Sequence, residues 1–279
     1  MIKSWIKKGV ARAVQNPAAW AVLEATIVRA ADYARWERIK SVSAREEQKA
    51  LEAISGDLTV KHGPFQGMIY PASKSAGSAL IPKLLGSYER ELHPVLEKIC
   101  SAGYSEIVDI GCAEGYYAVG LAMRVQTATV FAYDTNIEAI NLCEQMARRN
   151  GVARRVVTGS FCDAGVLRSI PLTQKALVIS DCEGYEKDLF TEEVAAHLAR
   201  HDLLVEVHDF VDIEISAIIR RRFQGTHLIT AVQSVDDITK AHSYCYDELR
   251  RFDLATRRAM LAECRPSIME WFYMTSRGG

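Results

Sequence analysis

From residue 104 onward, short apolar runs alternate with segments of helical periodicity, and this alternation restricts the possible folds more than any other feature. The runs that predict strands lie at residues 107–110, 128–133, 155–158, 176–180, 203–207, 227–232 and 269–274. Strands that alternate with helices are typical of a parallel sheet with helical crossovers. We therefore predict an α/β domain with a mostly parallel sheet and helices on both faces.

The first 80 residues lack this alternation. Apolar residues recur at helical spacing at Ile2, Trp5, Ile6, Val10 and Val14, opposite lysines and an arginine, and a Gly/Pro-rich loop follows at 62–78. We predict a helical N-terminal extension and loop over 1–80, a domain over 81–279 that begins with a helix at 81–100, and a candidate lid at 65–70. The stripe in residues 1–16 is expected to pack on the protein itself or on a second chain; an anionic membrane surface is the alternative.

Charge and cysteine usage narrow the class of protein. The 279 residues carry 34 basic and 35 acidic side chains, for a net charge of −1, so no nucleic-acid partner is expected. Seven cysteines without a CxxC pair favour reduced thiols in a cytoplasmic protein. No apolar run approaches the roughly 18 residues that a membrane-spanning helix needs, and no secretory signal is evident.

A glycine loop follows the first predicted strand, and an acid follows the second. The loop is Asp109-Ile110-Gly111-Cys112-Ala113-Glu114-Gly115, and the acid is Asp134. Glycines at a strand-to-helix turn let the backbone approach a ligand, and an acid about 20 residues further on suits the ribose hydroxyls of an adenosine. Dinucleotide enzymes instead use G-x-G-x-x-G around a pyrophosphate, which the flanking acids Asp109 and Glu114 would repel. A nicotinamide dehydrogenase is therefore disfavoured.

These residues resemble the class I S-adenosylmethionine-dependent methyltransferases over about residues 85–275. The resemblance implies a Rossmann-like sheet of seven strands and S-adenosyl-L-methionine as cofactor. It also implies that the loop after the third strand lies along the adenine. The expected cofactor-binding residues are Tyr88, Asp109, Gly111, Cys112, Ala113, Glu114, Gly115, Asp134, Thr135, Phe161, Cys162, Asp163 and Asp181.

Two later segments carry a narrower resemblance. Asp181-Cys182-Glu183-Gly184-Tyr185-Glu186 and a strand that ends in Glu206-Val207-His208 look like the D-x-E-G-x-E and E-x-H patterns of the FkbM methyltransferases. Similarity to that family implies O-methylation of a hydroxyl on a small molecule, sugar or glycan. It also implies that the last two strands form an antiparallel pair. Ser180 stands where the family often has a basic residue, and the N-terminal extension lies outside the shared core.

The spacing and charge of these residues also predict a site, independently of the family resemblance. Asp181 and Glu183 share one face of an extended chain, as do Glu206 and His208, and their strands are expected to be neighbours. Burial of so much charge requires a proton, a cation or a metal ion to offset it. Two mechanisms stay open. His208, positioned by Asp181, acts as general base, or Asp181, Glu206 and His208 hold a divalent cation such as Mg²⁺ or Mn²⁺ that activates the hydroxyl.

Two further charged residues and the alternative functions remain to be considered. Glu186 is interpreted as a helix cap, and Arg265 as a candidate contact for an acidic substrate. The leading function is an O-methyltransferase. The alternatives are a methyltransferase for nucleic acid or another acceptor, and a non-catalytic binding module on the same fold.

Overall fold

Seven strands form one sheet in the computed structural model, which describes residues 15–23, 51–52, 54, 56–73, 75 and 79–278. The strands are β1 Glu106–Ile110, β2 Thr129–Tyr133, β3 Val156–Gly159, β4 Ala176–Ser180, β5 Asp202–Val207, β6 His227–Gln233 and β7 Glu270–Ser276. Their order is β3-β2-β1-β4-β5-β7-β6. The first five run parallel, and β7 is antiparallel to both β5 and β6. This sheet confirms the predicted α/β, Rossmann-like fold.

Helices connect the strands. They are α1 Pro17–Leu23, α2 Leu80–Leu85, α3 His93–Ser101, α4 Tyr116–Arg124, α5 Ile137–Arg149, α6 Ala164–Ser169, α7 Glu186–Leu189, α8 Glu192–His197, α9 Ile215–Phe223, α10 Asp237–Ser243 and α11 Leu254–Leu261. Short 3-10 turns lie at Arg90–Leu92 and Asp247–Leu249. In the part of the chain that is described, no helix is long and apolar enough to cross a membrane.

The core has two halves, one on each face of the sheet, because alternate residues of a strand point to opposite faces. In β1, Ile107 packs into one half and Val108 into the other. In β4, Leu177 belongs to the first half and Val178 to the second. Both faces of the central strands are thus buried, as the near-continuous apolar runs in the sequence predict.

The register brings four strand ends to one edge of the sheet. Ile110 of β1 pairs with Tyr133 of β2 and with Ser180 of β4, and Ser180 pairs with Val205 of β5. The chain order reverses between β2 and β4 on either side of β1, which makes this edge a switch point where open α/β sheets bind ligands. The residues just after these strands therefore meet at one place.

The chain divides into two compact units, Met1–Lys49 and Ala50–Gly279. In the first unit, the described segment forms α1, whose first turn is capped by the Asn16 side chain. The predicted stripe at residues 1–14 lies outside the described residues. The second unit begins well before position 80, because the loop that precedes α2 packs into the same core as the sheet.

The predicted lid at 65–70 is instead part of this core. Phe65, Met68 and Tyr70 are all buried. The Phe65 ring packs edge-on against Tyr116 and lies so close to Gly120 that an added Cβ would be 2.5 Å from the ring. A segment with three buried apolar side chains cannot open without exposing them to water, so the lid interpretation is wrong.

The predicted continuous helix at 81–100 is also wrong, because a turn interrupts it. Helix α2 ends at Leu85 and is capped by Gly86, which has a left-handed φ of 80°. A Cβ at Gly86 would lie 2.0 Å from the carbonyl oxygen of His62, so only glycine fits. The turn carries Tyr88 and Glu89, and Glu89 itself has a positive φ of 46°. The break places both side chains beside the strand ends.

Candidate active site

A cavity of about 590 Å³ opens at the carboxyl ends of the strands. Its volume lies within the range of about 300–1,000 Å³ that small-molecule sites occupy. Most of the predicted site residues line it: Tyr88, Gly111, Cys112, Ala113, Asp134, Thr135, Phe161, Cys162, Asp181, Glu206 and His208. The structure thus brings together residues that are 120 positions apart in the sequence.

The glycine turn after β1 is shaped by close backbone contacts. Gly111 has a φ of 84°, and a Cβ there would lie 1.7 Å from the carbonyl oxygen of Asp181. Gly115 has a φ of 96°, and a Cβ there would lie 2.7 Å from the sulfur of Cys143. Side chains at either position would push the turn away from β4 or from α5. The two glycines therefore hold the turn against the sheet and leave its backbone facing the cavity.

Asp134 is fixed at the end of β2 by backbone donors. The Ala113 N–H donates to its Oδ2 at 2.9 Å, and the Asn136 N–H donates to its Oδ1 at 2.8 Å. Each carboxylate oxygen has further lone pairs, so the group can still accept hydrogen bonds from a ligand. Its place beside the glycine turn is the one expected of a ribose anchor.

Four predicted cofactor residues support the site without lining the cavity. Asp109 is buried in β1, and its Oδ2 has no hydrogen-bond partner among the described residues. Burial and the nearby charge of Asp181 raise the pKa of Asp109 to about 7. Gly115 shapes the turn, and Asp163 accepts the Val166 N–H as the N-cap of α6.

Glu114, the fourth, is engaged behind the turn. Its Oε1 accepts hydrogen bonds from Lys83 Nζ at 2.5 Å, from the Ser75 hydroxyl at 3.0 Å and from the Tyr70 hydroxyl at 3.2 Å. Lys83 and Glu114 are both buried, with 3% and 1% of their side chains exposed. The carboxylate of Glu114 is thus part of a buried ion pair, and it is Lys83 that lines the cavity.

An acidic cluster with one histidine lies at the ends of β4 and β5. One ligand atom each from Asp181, Glu206 and His208 lies within 4.8 Å of the others. His208 Nε2 is 3.4 Å from Asp181 Oδ1, 3.6 Å from Glu183 Oε2 and 4.0 Å from Glu206 Oε2. His208 is itself buried. The two strand-end pairs that the sequence predicts to face each other therefore do so.

Glu186 holds the other nitrogen of His208. Its Oε1 lies 2.6 Å from His208 Nδ1, and the carboxylate is fully buried at the start of α7. The same oxygen accepts the Gly184 N–H at 3.2 Å. The prediction that Glu186 serves only as a helix cap is therefore wrong. Its sequence position before a helix was uninformative because the contact depends on the pairing of β4 with β5.

These contacts decide the protonation state of His208. Burial disfavours the charged imidazolium, but the contacts with Asp181 and Glu186 outweigh it and raise the pKa of His208 to about 10. Near neutral pH the ring thus carries both protons and is an acid rather than a base. A cation bound beside Nε2 would displace that proton, since a ligating imidazole must be neutral at the bound nitrogen.

Arg265 is not available to an acidic substrate, contrary to the sequence interpretation. Its guanidinium donates to Glu89, to Glu206 and, at 3.0 Å, to Glu263. Burial opposes its charge, but the surrounding carboxylates raise the pKa of Arg265 further above its usual value. Arg265 thus neutralises buried acids and ties the turn at 86–89 to β5.

The pKa values of the acids that contact Arg265 are also shifted. Burial raises the pKa of Glu89 to about 8 against the lowering effect of Arg265. Burial and the charge of Asp181 raise the pKa of Glu206 well above its usual range. Perturbed titratable groups that converge on one cavity are typical of functional sites. Sequence reasoning missed Glu263 as part of this network because it belongs to no local motif.

The comparisons with known proteins fit this geometry. Residues 92–170 match the family model for the methyltransferase small domain, which covers β1 to α6. No curated protein matches the chain. The domain match on the observed sheet indicates a methyltransferase that uses S-adenosylmethionine.

Solved structures resemble the chain at low identity. A provisionally assigned O-methyltransferase from Klebsiella pneumoniae has 11% identity and a TM-score of 0.45, covering 82% of this chain and 90% of its own. A precorrin 8W decarboxylase from Methanobacterium thermoautotrophicum has 18% identity and a TM-score of 0.41, covering 64% and 87%. The C-terminal domain of precorrin-6Y C5,15-methyltransferase from Rhodobacter capsulatus has 11% identity and a TM-score of 0.41, covering 62% and 81%. Likenesses of this size do not assign a substrate.

Proposed function

We propose that this chain is an S-adenosylmethionine-dependent O-methyltransferase that acts on a hydroxyl of a small molecule, sugar or glycan, in the manner of the FkbM methyltransferases. The observation that carries the proposal is a single cavity lined by two sets of residues. One set is Asp134 with the glycine turn, and the other is the cluster of Asp181, Glu206 and His208. A cofactor bound by the first set would have its methyl group within the same cavity as the second.

The residues around Asp134 suit S-adenosylmethionine. Gly111 lets the turn lie against the backbone of Asp181, so that the turn lines the cavity, and Asp134 offers carboxylate oxygens to the ribose hydroxyls. Phe161 stays half exposed at the cavity wall, with its ring 5.6 Å from that of Tyr185, where an adenine can stack on it. Buried Asp109 and the acids around Asp181 favour a ligand that carries a sulfonium and an ammonium.

When bound, the cofactor supplies a methyl group on a positively charged sulfur. The protein has to orient the acceptor oxygen, exclude water and take the hydroxyl proton. His208 cannot take that proton while its ring is doubly protonated. The Asp181 carboxylate lines the cavity beside His208, and we propose it as the group that accepts this proton.

We also propose that Asp181, Glu206 and His208 hold a divalent cation of the Mg²⁺ or Mn²⁺ type. Two carboxylates and one imidazole are a suitable donor set, and Asp181 Oδ1 has no hydrogen-bond partner among the described residues. Glu186 on the outer nitrogen of His208 matches the carboxylate–histidine arrangement that orients metal ligands. Such an ion would lower the pKa of an acceptor hydroxyl.

Isothermal titration calorimetry tests the cofactor directly. We expect S-adenosylhomocysteine and S-adenosylmethionine to bind and NAD not to bind. Binding of NAD alone would overturn the proposal. Transfer of a radiolabelled methyl group to a panel of hydroxylated small molecules, sugars and glycans then tests the acceptor class. Labelling of nucleic acid or protein instead of any of these compounds would reject the proposed acceptor class.

A further inference from the structure

Lys83 is a buried cation in the cavity wall, and its ion-pair partner Glu114 belongs to the glycine turn. It lies in α2, with 3% of its side chain exposed, and lines the cavity together with Tyr88 and Tyr116. Its Nζ is 4.9 Å from the centre of the Tyr88 ring and 5.4 Å from that of the Tyr116 ring. A buried ammonium between two aromatic faces is well placed to bind a small anion that enters from the cavity.

The ammonium has one donor to spare within the described residues. Of its three N–H groups, one donates to Glu114 Oε1 at 2.5 Å and a second to the Ser75 hydroxyl at 3.3 Å. The single carboxylate of Glu114 fixes the position of Nζ. A third hydrogen bond can therefore form to a ligand without breaking the ion pair.

The other cations of the cavity wall are already surrounded by acids. Arg265 contacts three carboxylates, and His208 lies among Glu186, Asp181 and Glu183. A ligand carboxylate near either of them would meet more negative than positive charge. Lys83 contacts one carboxylate and two ring faces, and its charge also acts on buried Asp109. Because fewer carboxylates contact Lys83 than contact Arg265 or His208, it offers the most favourable place for an anion.

We propose that Lys83 binds the α-carboxylate of the amino-acid end of the cofactor. This inference rests on the proposed function, since it names how that cofactor is oriented. Glu114 directly follows Ala113, whose N–H holds Asp134. Lys83 and the ribose anchor are therefore tied to neighbouring residues of one turn. With adenosine at Asp134, the carboxylate at Lys83 leaves the sulfonium to face the Asp181 cluster.

Two ligands that differ in one part test the proposal by calorimetry. S-adenosylhomocysteine has the amino-acid end, and 5′-methylthioadenosine lacks it. Lys83→Met alone would remove the positive charge beside the buried Glu114 carboxylate, so the comparison is between the variants Glu114→Gln and Lys83→Met/Glu114→Gln. Circular dichroism and thermal melting verify that both are folded, and Lys83→Arg tests retention of the charge.

We expect the double variant to bind S-adenosylhomocysteine at least tenfold more weakly than Glu114→Gln does, with 5′-methylthioadenosine affinity changed less than twofold. Lys83→Arg should keep more of the S-adenosylhomocysteine affinity than the double variant. Unchanged S-adenosylhomocysteine affinity, or an equal loss for both ligands, would overturn the role of Lys83 while leaving the proposed function intact. Failure of the wild-type protein to bind either ligand would overturn both proposals.

Discussion

Glu186 Oε1 lies 2.6 Å from His208 Nδ1 in a fully buried contact. Because the carboxylate occupies the outer nitrogen, the inner Nε2 is the atom that faces Asp181 and Glu206. The contact joins the start of α7 to the end of β5. It therefore sets the direction of the imidazole at the point where the acceptor hydroxyl is proposed to bind.

Substitution of Glu186 should affect turnover and not cofactor binding. In Glu186→Ala the ring loses its orienting partner, and outer-shell changes of this kind typically cost about 10–100-fold. We expect kcat to fall by that amount on an identified acceptor, with S-adenosylhomocysteine affinity unchanged. Glu186→Gln, which still accepts from Nδ1–H, should recover part of the loss. A parallel loss of cofactor affinity and melting temperature, with no recovery by glutamine, would indicate a purely structural residue.

Removal of cations tests the proposal that Asp181, Glu206 and His208 hold a divalent cation. Titration of the EDTA-treated protein with Mn²⁺, followed by electron paramagnetic resonance, should show one bound ion. Asp181→Asn should weaken that binding at least tenfold, because a charged ligand becomes a neutral one. The control is Asp188→Asn, in the same segment but outside the cavity wall. If wild-type protein binds no Mn²⁺, or if EDTA leaves activity unchanged, the cation is rejected and proton transfer falls to the side chains alone.

Asp134 should determine cofactor affinity. Asp134→Ala removes charge-assisted hydrogen bonds to the ribose, each contributing about 1.5–3 kcal/mol, so S-adenosylhomocysteine affinity should drop at least tenfold. Since Asp134 also accepts the Ala113 N–H, the Asp134→Asn variant provides the matched control with an acceptor retained. We expect calorimetry to show the highest S-adenosylhomocysteine affinity for the wild type, a lower affinity for Asp134→Asn and the lowest for Asp134→Ala. Equal affinities would show that the ribose binds elsewhere.

Asp109 should make stability depend on pH. Its pKa is raised to about 7 in the folded protein, while an unfolded aspartate titrates near about 3.9. The folded state therefore holds the proton more tightly, and stability falls as pH rises from about 4 to 7, then levels off. The loss from this group is on the order of 4 kcal/mol. In Asp109→Asn, the free energy of unfolding measured with denaturant should not show this part of the decrease with pH. Above pH 7 the stability of the variant relative to wild type should therefore be higher than it is at pH 4.

Much of the fold is readable from the sequence because periodicity and strand alternation are local properties. Strand β4 matches its apolar run at 176–180, and β1 differs from the run predicted at 107–110 by one residue. The break in the helix predicted at 81–100 was not readable. It depends on Gly86 passing within contact distance of His62, a neighbour that only the tertiary structure supplies.

The residues of the candidate site likewise fall into those that the sequence predicts and those that it does not. Asp134 and the turn at 111–115 belong to a local strand–turn–helix pattern, and the strand-end pairs at Asp181 and His208 follow from the two-residue period of a strand. Arg265 and Glu186 could not be assigned, because their partners come from distant segments. A charged residue in a sequence does not reveal which opposite charge will be buried beside it.

The packed loop at 65–70 leads to a prediction about stability. Phe65 fills the space over Gly120, where a Cβ would lie 2.5 Å from the ring. Gly120→Ala should therefore force the ring to move, and overpacking of this kind typically costs about 1–3 kcal/mol. Phe65→Leu/Gly120→Ala should recover part of that loss, since the smaller side chain leaves room for the methyl group. Denaturant unfolding of the wild type, both single variants and the double variant gives the coupling energy between the two sites.

If Gly120→Ala is as stable as wild type, the Phe65 ring moves away from helix α4 without a cost in stability. Phe65 would then be a mobile cover, and its place in the core would be wrong.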